Sequence, residues 1–229
     1  MTGIIYTKIE RTEKKILEEF KSIATTLISD AMNRTNVMKA SIKPIVENIR
    51  IAGNAVTAKC IVGDNLMTHQ ALYLAEAGDI LVIDGKGYTD KSIWGGIQTE
   101  VSMKRGIAGV VIDGAIRDVQ EVKRLKYPVF CSGVVPAGPH KGWGDSINVP
   151  IQCGGVPVHP GDIIVGDDDG VVVVPLREAE EILKKAKDLI EVERGWKKKL
   201  DEGKTTLEAI GLDKKLLELN VKVVDGTWK

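Results

Sequence analysis

Apolar positions near the N-terminus recur at helical spacing. Ile16, Leu17, Phe20, Ile23, Ala24, Leu27 and Ile28 share a stripe, which predicts a helix over residues 12–34 with Thr12 as its cap. An extended run follows at 55–62. Asp64 or Asn65 then caps a second helix, 66–77, stopped by Gly78. The run at 80–83 is apolar throughout, as expected of a strand covered on both faces. Helix 97–105, strand 108–112, helix 117–125 and an extended piece at 129–131 continue the rhythm. Such alternation predicts an α/β architecture around a central sheet. From Asn148 the pattern shortens into NVPIQC, VPVH, DIIVGD and GVVVVP, which predicts a β-rich layer, a second sheet or barrel, packed on the first. From Arg177 the chain turns helical and charged, with Ile182, Leu183, Ala186, Leu189, Ile190 and Val192 on one face. That face reads as a solvated helix or as one reaching a neighbouring subunit.

Composition narrows the function classes. The 229 residues, 43% hydrophobic and 28% charged, suit one generous domain with a helical tail, or at most two small domains. The 32 basic and 32 acidic residues cancel, so no overall field gathers nucleic acid. Cys60, Cys131 and Cys153 form no C-x-x-C pair, and read as buried reduced thiols of a cytosolic protein. The N-terminal MTGIIYTKIERTEKK lacks the apolar core and cleavage site of a signal peptide, and no apolar run reaches the ~18 residues of a membrane span. A soluble, cytoplasmic protein without nucleic-acid or membrane partners is expected.

The densest polar constellation is WGGIQTEVSMKRGIAGVVIDGAIRDVQE, residues 94–121. Gly95-Gly96 precedes a helix, so backbone amides of Ile97, Gln98 and Thr99 are expected to face a ligand at the positive end of the helix dipole. That arrangement suits a carboxylate or a phosphate; it equally suits a plain tight turn. Strand GVVID ends at Asp113-Gly114, and the loop beyond delivers Arg117 and Asp118. Ligands of α/β folds sit past the carboxyl ends of such strands. Asp118 offers a hard oxygen to Mg²⁺ or Mn²⁺, and Arg117 a permanent cation with forked donors. A surface ion pair with Asp118 as a helix cap is the competing reading. Glu121, one turn on, is placed to hold Arg117 or a metal-bound water.

Other motifs read more plainly. GDDDG at 166–170 lacks the spacing and distal Glu of a calcium loop and reads as a β-turn. His69 reads as structural or interfacial, and His159 as a turn residue. PHKGWG at 139–144 sets His140, Lys141 and Trp143 in a glycine-rich loop suited to closing over a distal carboxylate. GKGYTDKSIWGG is neither a Walker loop nor a dinucleotide fingerprint.

Gly96, twenty residues, Arg117-Asp118, two residues and Glu121 give the pattern G-x20-R-D-x2-E. Together with ISDAMNR, GDILVIDGKG at 78–87 and the segment 148–175, this pattern resembles the RraA-like pyruvate aldolases. That group includes 4-hydroxy-4-methyl-2-oxoglutarate and 4-carboxy-4-hydroxy-2-oxoadipate aldolases and the regulator of ribonuclease activity A. The resemblance implies an α/β/β sandwich with a β-rich second layer and C-terminal helices. It implies a single domain over 1–229, whose tail, 176–229, contacts a neighbouring subunit in a homotrimer or hexamer. It implies a divalent-metal-dependent aldolase cleaving 4-hydroxy-2-oxo acids, with oxaloacetate decarboxylation through a pyruvate enolate. Asp118 would hold Mg²⁺ or Mn²⁺, with Glu193 of a neighbouring subunit as a second acidic group. Arg117 and Glu121 would be catalytic, and Gly95, Gly96, Ile97, Gln98 and Arg117 would bind the 2-oxo acid. Some members carry Asp where this chain has Gly96, a departure beside the metal site. The same resemblance leaves a second implication, a protein-binding regulator of an RNA-degrading endonuclease.

Overall fold

The structure, a computed structural model, describes residues 3–228. Two compact units divide the chain, 1–186 and 187–229. The first opens with α1 (Lys14–Ser22) and α2 (Thr25–Ala31), then β1 (Lys43–Pro44), β2 (Ile51–Lys59), α3 (Leu66–Leu74), β3 (Ile80–Trp94) and α4 (Gly96–Lys104). It continues with β4 (Gly109–Ile116), α5 (Val119–Leu125), β5 (Val129–Val134), β6 (Ser146–Ile147), β7 (Ile151–Cys153) and β8 (Val156–Val158). Then come β9 (Ile163–Asp167), β10 (Gly170–Val174) and the start of α6 (Ala179–Asp201). The second unit holds the rest of α6, then α7 (Thr206–Ile210) and α8 (Asp213–Glu218). Thr205 and Glu208 cap α7 reciprocally, each side chain serving the other residue's amide.

Among the described residues, eight strands form one mixed sheet, ordered β1-β5-β4-β3-β2-β9-β10, with β6 on β2 off this path. β2, β3, β4 and β5 run parallel. Their side chains alternate between two cores. Leu81, Ile83, Val110 and Ile112 face α3 and α5, meeting Met67, Ala71, Leu72 and Val122. Ile80, Val82, Val111 and Phe130 face the other way, onto Ile151, Cys153, Ile164, Val171 and Val173. Helices thus cover one face and short strands the other, which accounts for the apolar run at 80–83. Each such side chain contributes about 1.5–3 kcal/mol of burial. The β-rich layer is not wholly separate: β9 pairs with the first half of β2, while β7 and β8 form their own hairpin.

Three expectations change in detail. The helix over 12–34 breaks, because Ile23 and Ala24 are extended. Buried Asp167 takes the Thr25 amide at 2.9 Å and its hydroxyl at 2.6 Å, so a remote carboxylate starts α2. Thr12 caps nothing; its amide bonds Asn54 Oδ1 instead. The strand at 80–83 extends to Trp94, with register shifts against β4 beyond Asp84. Lys86 and Gly87, at φ +62° and +67°, supply the irregularity that carries GKGYTDKS along the sheet edge. The GDDDG turn forms as expected, with Asp167 spent on Thr25 and Asp168 on the Asn48 amide. All three cysteines are free and buried, and burial pushes the Cys60 thiol up to about 12. No helix of the described residues is long and apolar enough to cross a membrane.

Candidate active site

The carboxyl ends of β3 and β4 place the site. β3 ends at Trp94, and Gly95 is the cap of α4. β4 ends at Ile116, after which Arg117 donates its amide to Trp94 O at 3.0 Å. That bond ties the end of one strand to the end of the next. Asp118 follows in the left-handed region, at φ +59° and ψ +37°, a conformation Asp tolerates better than most residues. The turn swings its carboxylate away from its own helix, so Asp118 stands at the cap position of α5 without capping it. Its Oδ2 instead accepts the Gly96 amide at 3.0 Å and lies 3.7 Å from Arg117 Nε. The twenty-residue spacing is therefore one helix plus one strand, the length needed to return Asp118 to the start of α4.

Two glycines make this approach possible. A Cβ on Gly95 would stand 2.6 Å from Asp118 Oδ2 and 3.2 Å from Arg117 Cγ, and one on Gly96 would meet the Glu121 carboxylate. Gly95 itself is extended, so space rather than backbone freedom demands glycine there. The amides of Ile97 and Gln98 take no backbone bond among the described residues, as expected in the first turn of a helix. Thr99 departs from expectation: its amide makes the first helical bond, to Gly95 O at 3.1 Å. Its hydroxyl bridges Gly95 O and the Trp94 indole, fixing the turn from below.

Gly95, Gly96, Ile97, Gln98, Arg117 and Asp118 all line one cleft of about 150 Å³. Five further residues complete it: Asn65, His69, Trp94, Pro139 and Lys141. Asn65 and His69 stand four apart on one face of α3, a spacing visible in the sequence, although His69 reads there as structural. The PHKGWG loop contributes Lys141, whereas His140 turns to Lys91, its Nε2 lying 3.0 Å from Nζ. Glu121 does not line this cleft. It lies against Gly96, bonded to Arg124 at 3.3 Å, and borders a second hollow with Val134 and Pro136 that Arg117 and Asp118 also line. Glu193 lies in the second unit, 3.7 Å from Lys197.

The donor set suits a hydrated divalent cation. No group of three His, Cys, Asp or Glu side chains gathers among the described residues. Mg²⁺ commonly keeps several waters and takes one or two carboxylates, completing its shell from the substrate. Asp118 meets that requirement, since Oδ2 is oriented by the Gly96 amide and Oδ1 accepts no hydrogen bond among the described residues. A zinc site, which needs three or four protein ligands, is not built among the described residues.

Burial lowers the His69 pKa from its ordinary value, and the Lys141 charge adds to the shift. The folded chain therefore gives up this proton at a pH where the unfolded chain still holds it. Stability rises with pH through that window and is lost as pH falls through the ordinary histidine range. The wild-type melting temperature is expected to fall more steeply than that of His69→Gln between about pH 7 and pH 5. Parallel melting curves for the two proteins would remove His69 as the cause.

Comparison with known proteins follows the same segments. The family model described as "RraA-like: Aldolase/RraA" matches residues 25–173. A Halalkalibacterium halodurans protein is 44% identical over 179 residues, covering 78% of this chain and 85% of its own. Its name, given provisionally, is 4-hydroxy-4-methyl-2-oxoglutarate aldolase. A solved structure of an uncharacterized protein from Pseudomonas syringae pv. tomato superposes with a TM-score of 0.81 at 27% identity, over 90% of this chain and 97% of that one. A Streptomyces coelicolor protein, described as an unusual member of the RNase ES inhibitor RraA protein family, gives 0.74 at 26% identity, over 80% and 97%.

Proposed function

The chain belongs to the RraA-like family, and from that premise we propose that it is a divalent-metal-dependent pyruvate aldolase. Its substrates in this reading are 4-hydroxy-2-oxo acids such as 4-hydroxy-4-methyl-2-oxoglutarate, with oxaloacetate decarboxylation as a side activity. One observation carries the reading: the amide end of α4, the Arg117 guanidinium and the Asp118 carboxylate converge on a single cleft. The aldolase name of the Halalkalibacterium relative supports the same chemistry.

Each group has a task. The free amides of Ile97 and Gln98 hold the 2-oxo acid's carboxylate against the positive end of α4. Arg117, pinned through its own backbone to Trp94, donates to the keto oxygen where negative charge develops. Asp118 would hold Mg²⁺ or Mn²⁺, and that ion would supply Lewis acidity for the developing enolate. The C4 hydroxyl gives its proton to a water in the cleft, the C3–C4 bond breaks, its electron pair passes to C3 and on to the keto oxygen as the enolate, and that water returns the proton to C3. Protonation at C3 then gives pyruvate, and the other half leaves as a carbonyl compound. In oxaloacetate the same electron pair is released by loss of CO₂. Glu121, against Gly96, orients the Asp118–Gly96 pairing or a water rather than touching the reacting atoms. Lys141 and His69 stand on the opposite wall, where Lys141 suits a distal carboxylate of the substrate. A homotrimer or hexamer would bring Glu193 from a neighbouring copy. Ile97, 78% exposed at the rim, and exposed Tyr73 and Met103 suit such a contact.

Pyruvate release from 4-hydroxy-4-methyl-2-oxoglutarate, coupled to lactate dehydrogenase, is the direct test. Activity is expected with Mg²⁺ or Mn²⁺ and is expected to vanish with EDTA and return on adding the metal. The family resemblance to a ribonuclease inhibitor favours a second reading, a regulator that binds an endonuclease through its outer surface. Pyruvate release absent at every metal concentration, with inhibition of RNA cleavage present, would select that reading.

A further inference from the structure

We propose that Asp64 is a positioning residue that fixes the Lys141 and His69 wall of the cleft, holding the Lys141 loop against the start of α3. This rests on reading the cleft as the substrate site. Asp64 is 1% exposed, and its carboxylate accepts three backbone amides from two segments. Oδ1 takes the Leu66 amide at 2.8 Å, which orders the first turn of α3 and so the placement of Asn65 and His69. Oδ2 takes the amides of Gly142 at 2.8 Å and Trp143 at 3.1 Å, immediately after Lys141. Backbone bonds lace the same two segments, from Asn65 N to His140 O and from His140 N to Gly63 O.

The remaining support for the loop lies elsewhere along it. Ser92 holds the loop's beginning through Ala137 O, and Lys91 meets His140 on the exposed side. Glycines 138, 142 and 144 leave little stiffness of the loop's own. A buried carboxylate is costly unless its lone pairs are filled, and amide bonds to an ionised acceptor are roughly twice as strong as neutral ones. Three such bonds converging on the tip make Asp64 the group that sets where Lys141 stands.

The experiment uses the full chain with Mg²⁺, comparing wild type, Asp64→Ala and Asp64→Asn. Amide hydrogen exchange is followed in peptides covering 139–146 and, as a control, the β4 strand. Kinetics are measured with a 4-hydroxy-2-oxo diacid and, separately, as exchange of pyruvate methyl protons in heavy water, which needs no distal contact. Asp64→Ala is expected to speed exchange at 139–146 while leaving β4 slow, and to raise KM for the diacid roughly tenfold with kcat within about threefold. Asp64→Asn, which keeps an oxygen acceptor, is expected to fall between. Unchanged exchange in 139–146, or an unchanged KM, would overturn the proposal, as would faster exchange everywhere with kcat and pyruvate exchange lost together. Should wild type release no pyruvate at all, the aldolase reading fails, and hydrogen exchange still decides whether Asp64 holds the loop.

Discussion

Replacing Arg117 by alanine is expected to lower metal-dependent pyruvate release by roughly 10²–10³-fold, the usual effect of deleting one donor to a developing oxyanion. Asp118→Asn is expected to be at least as damaging, because it removes the charge that holds the cation. Asparagine is the informative choice at 118. It tolerates the left-handed backbone there and keeps an oxygen for the Gly96 amide, so only the charge is lost. Neither change should unfold the protein, since the two side chains are 43% and 45% exposed and belong to neither hydrophobic core. Turnover, thermal melting and Mn²⁺ binding measured on the same samples separate the possibilities. Full turnover in either folded variant would remove these residues from the chemistry. For Asp118→Asn the loss is expected to appear as lost Mn²⁺ affinity, and for Arg117→Ala as a fall in kcat with metal still bound.

The adjacent glycines are expected to respond unequally. Gly95→Ala puts a methyl 2.6 Å from Asp118 Oδ2 and within 3.4 Å of Arg117 Nε, so both side chains must shift. Displacement of about 1 Å in a reacting group costs on the order of 10²-fold, and that is the loss expected in kcat/KM. Gly96→Ala meets the far end of the Glu121 side chain, which can swing aside. Activity within about fivefold of wild type is expected there, because the oxyanion donors keep their places. Steady-state kinetics on both variants, with melting curves as control, make the comparison. Equal losses at the two positions would show that crowding of Asp118 is not what sets Gly95 apart.

Much of the site is local in the sequence and was legible there. Gly95-Gly96 before a helix, and Arg117-Asp118 past a buried strand, follow from rules about helix starts and strand ends. The cleft collects all four, with Ile97 and Gln98, because β3 and β4 are neighbouring parallel strands, which brings their carboxyl ends side by side. Lys141, Asn65 and His69 are different. No local pattern shows that the loop carrying Lys141 meets the start of α3, since the amides just after Lys141 bond Asp64, a residue distant from Gly142 along the chain. Likewise the split of the N-terminal helix depends on Asp167, whose carboxylate reaches Thr25 from the far end of the fold.

Period and pattern determined the α/β class, the covered central strand, the turn at GDDDG and the placing of Gly95-Gly96 at a helix start and Arg117-Asp118 at a strand end, because each depends on residues within one or two elements. Tertiary structure alone decided that Asp118 serves the Gly96 amide rather than its own helix, that Glu121 stands against Gly96, and that Lys141 and His69 form the opposite wall. Those outcomes depend on contacts between segments far apart in the chain. Hydrophobic periodicity selects the buried face of an element; it carries no information about which polar partner a side chain will meet once the faces are packed.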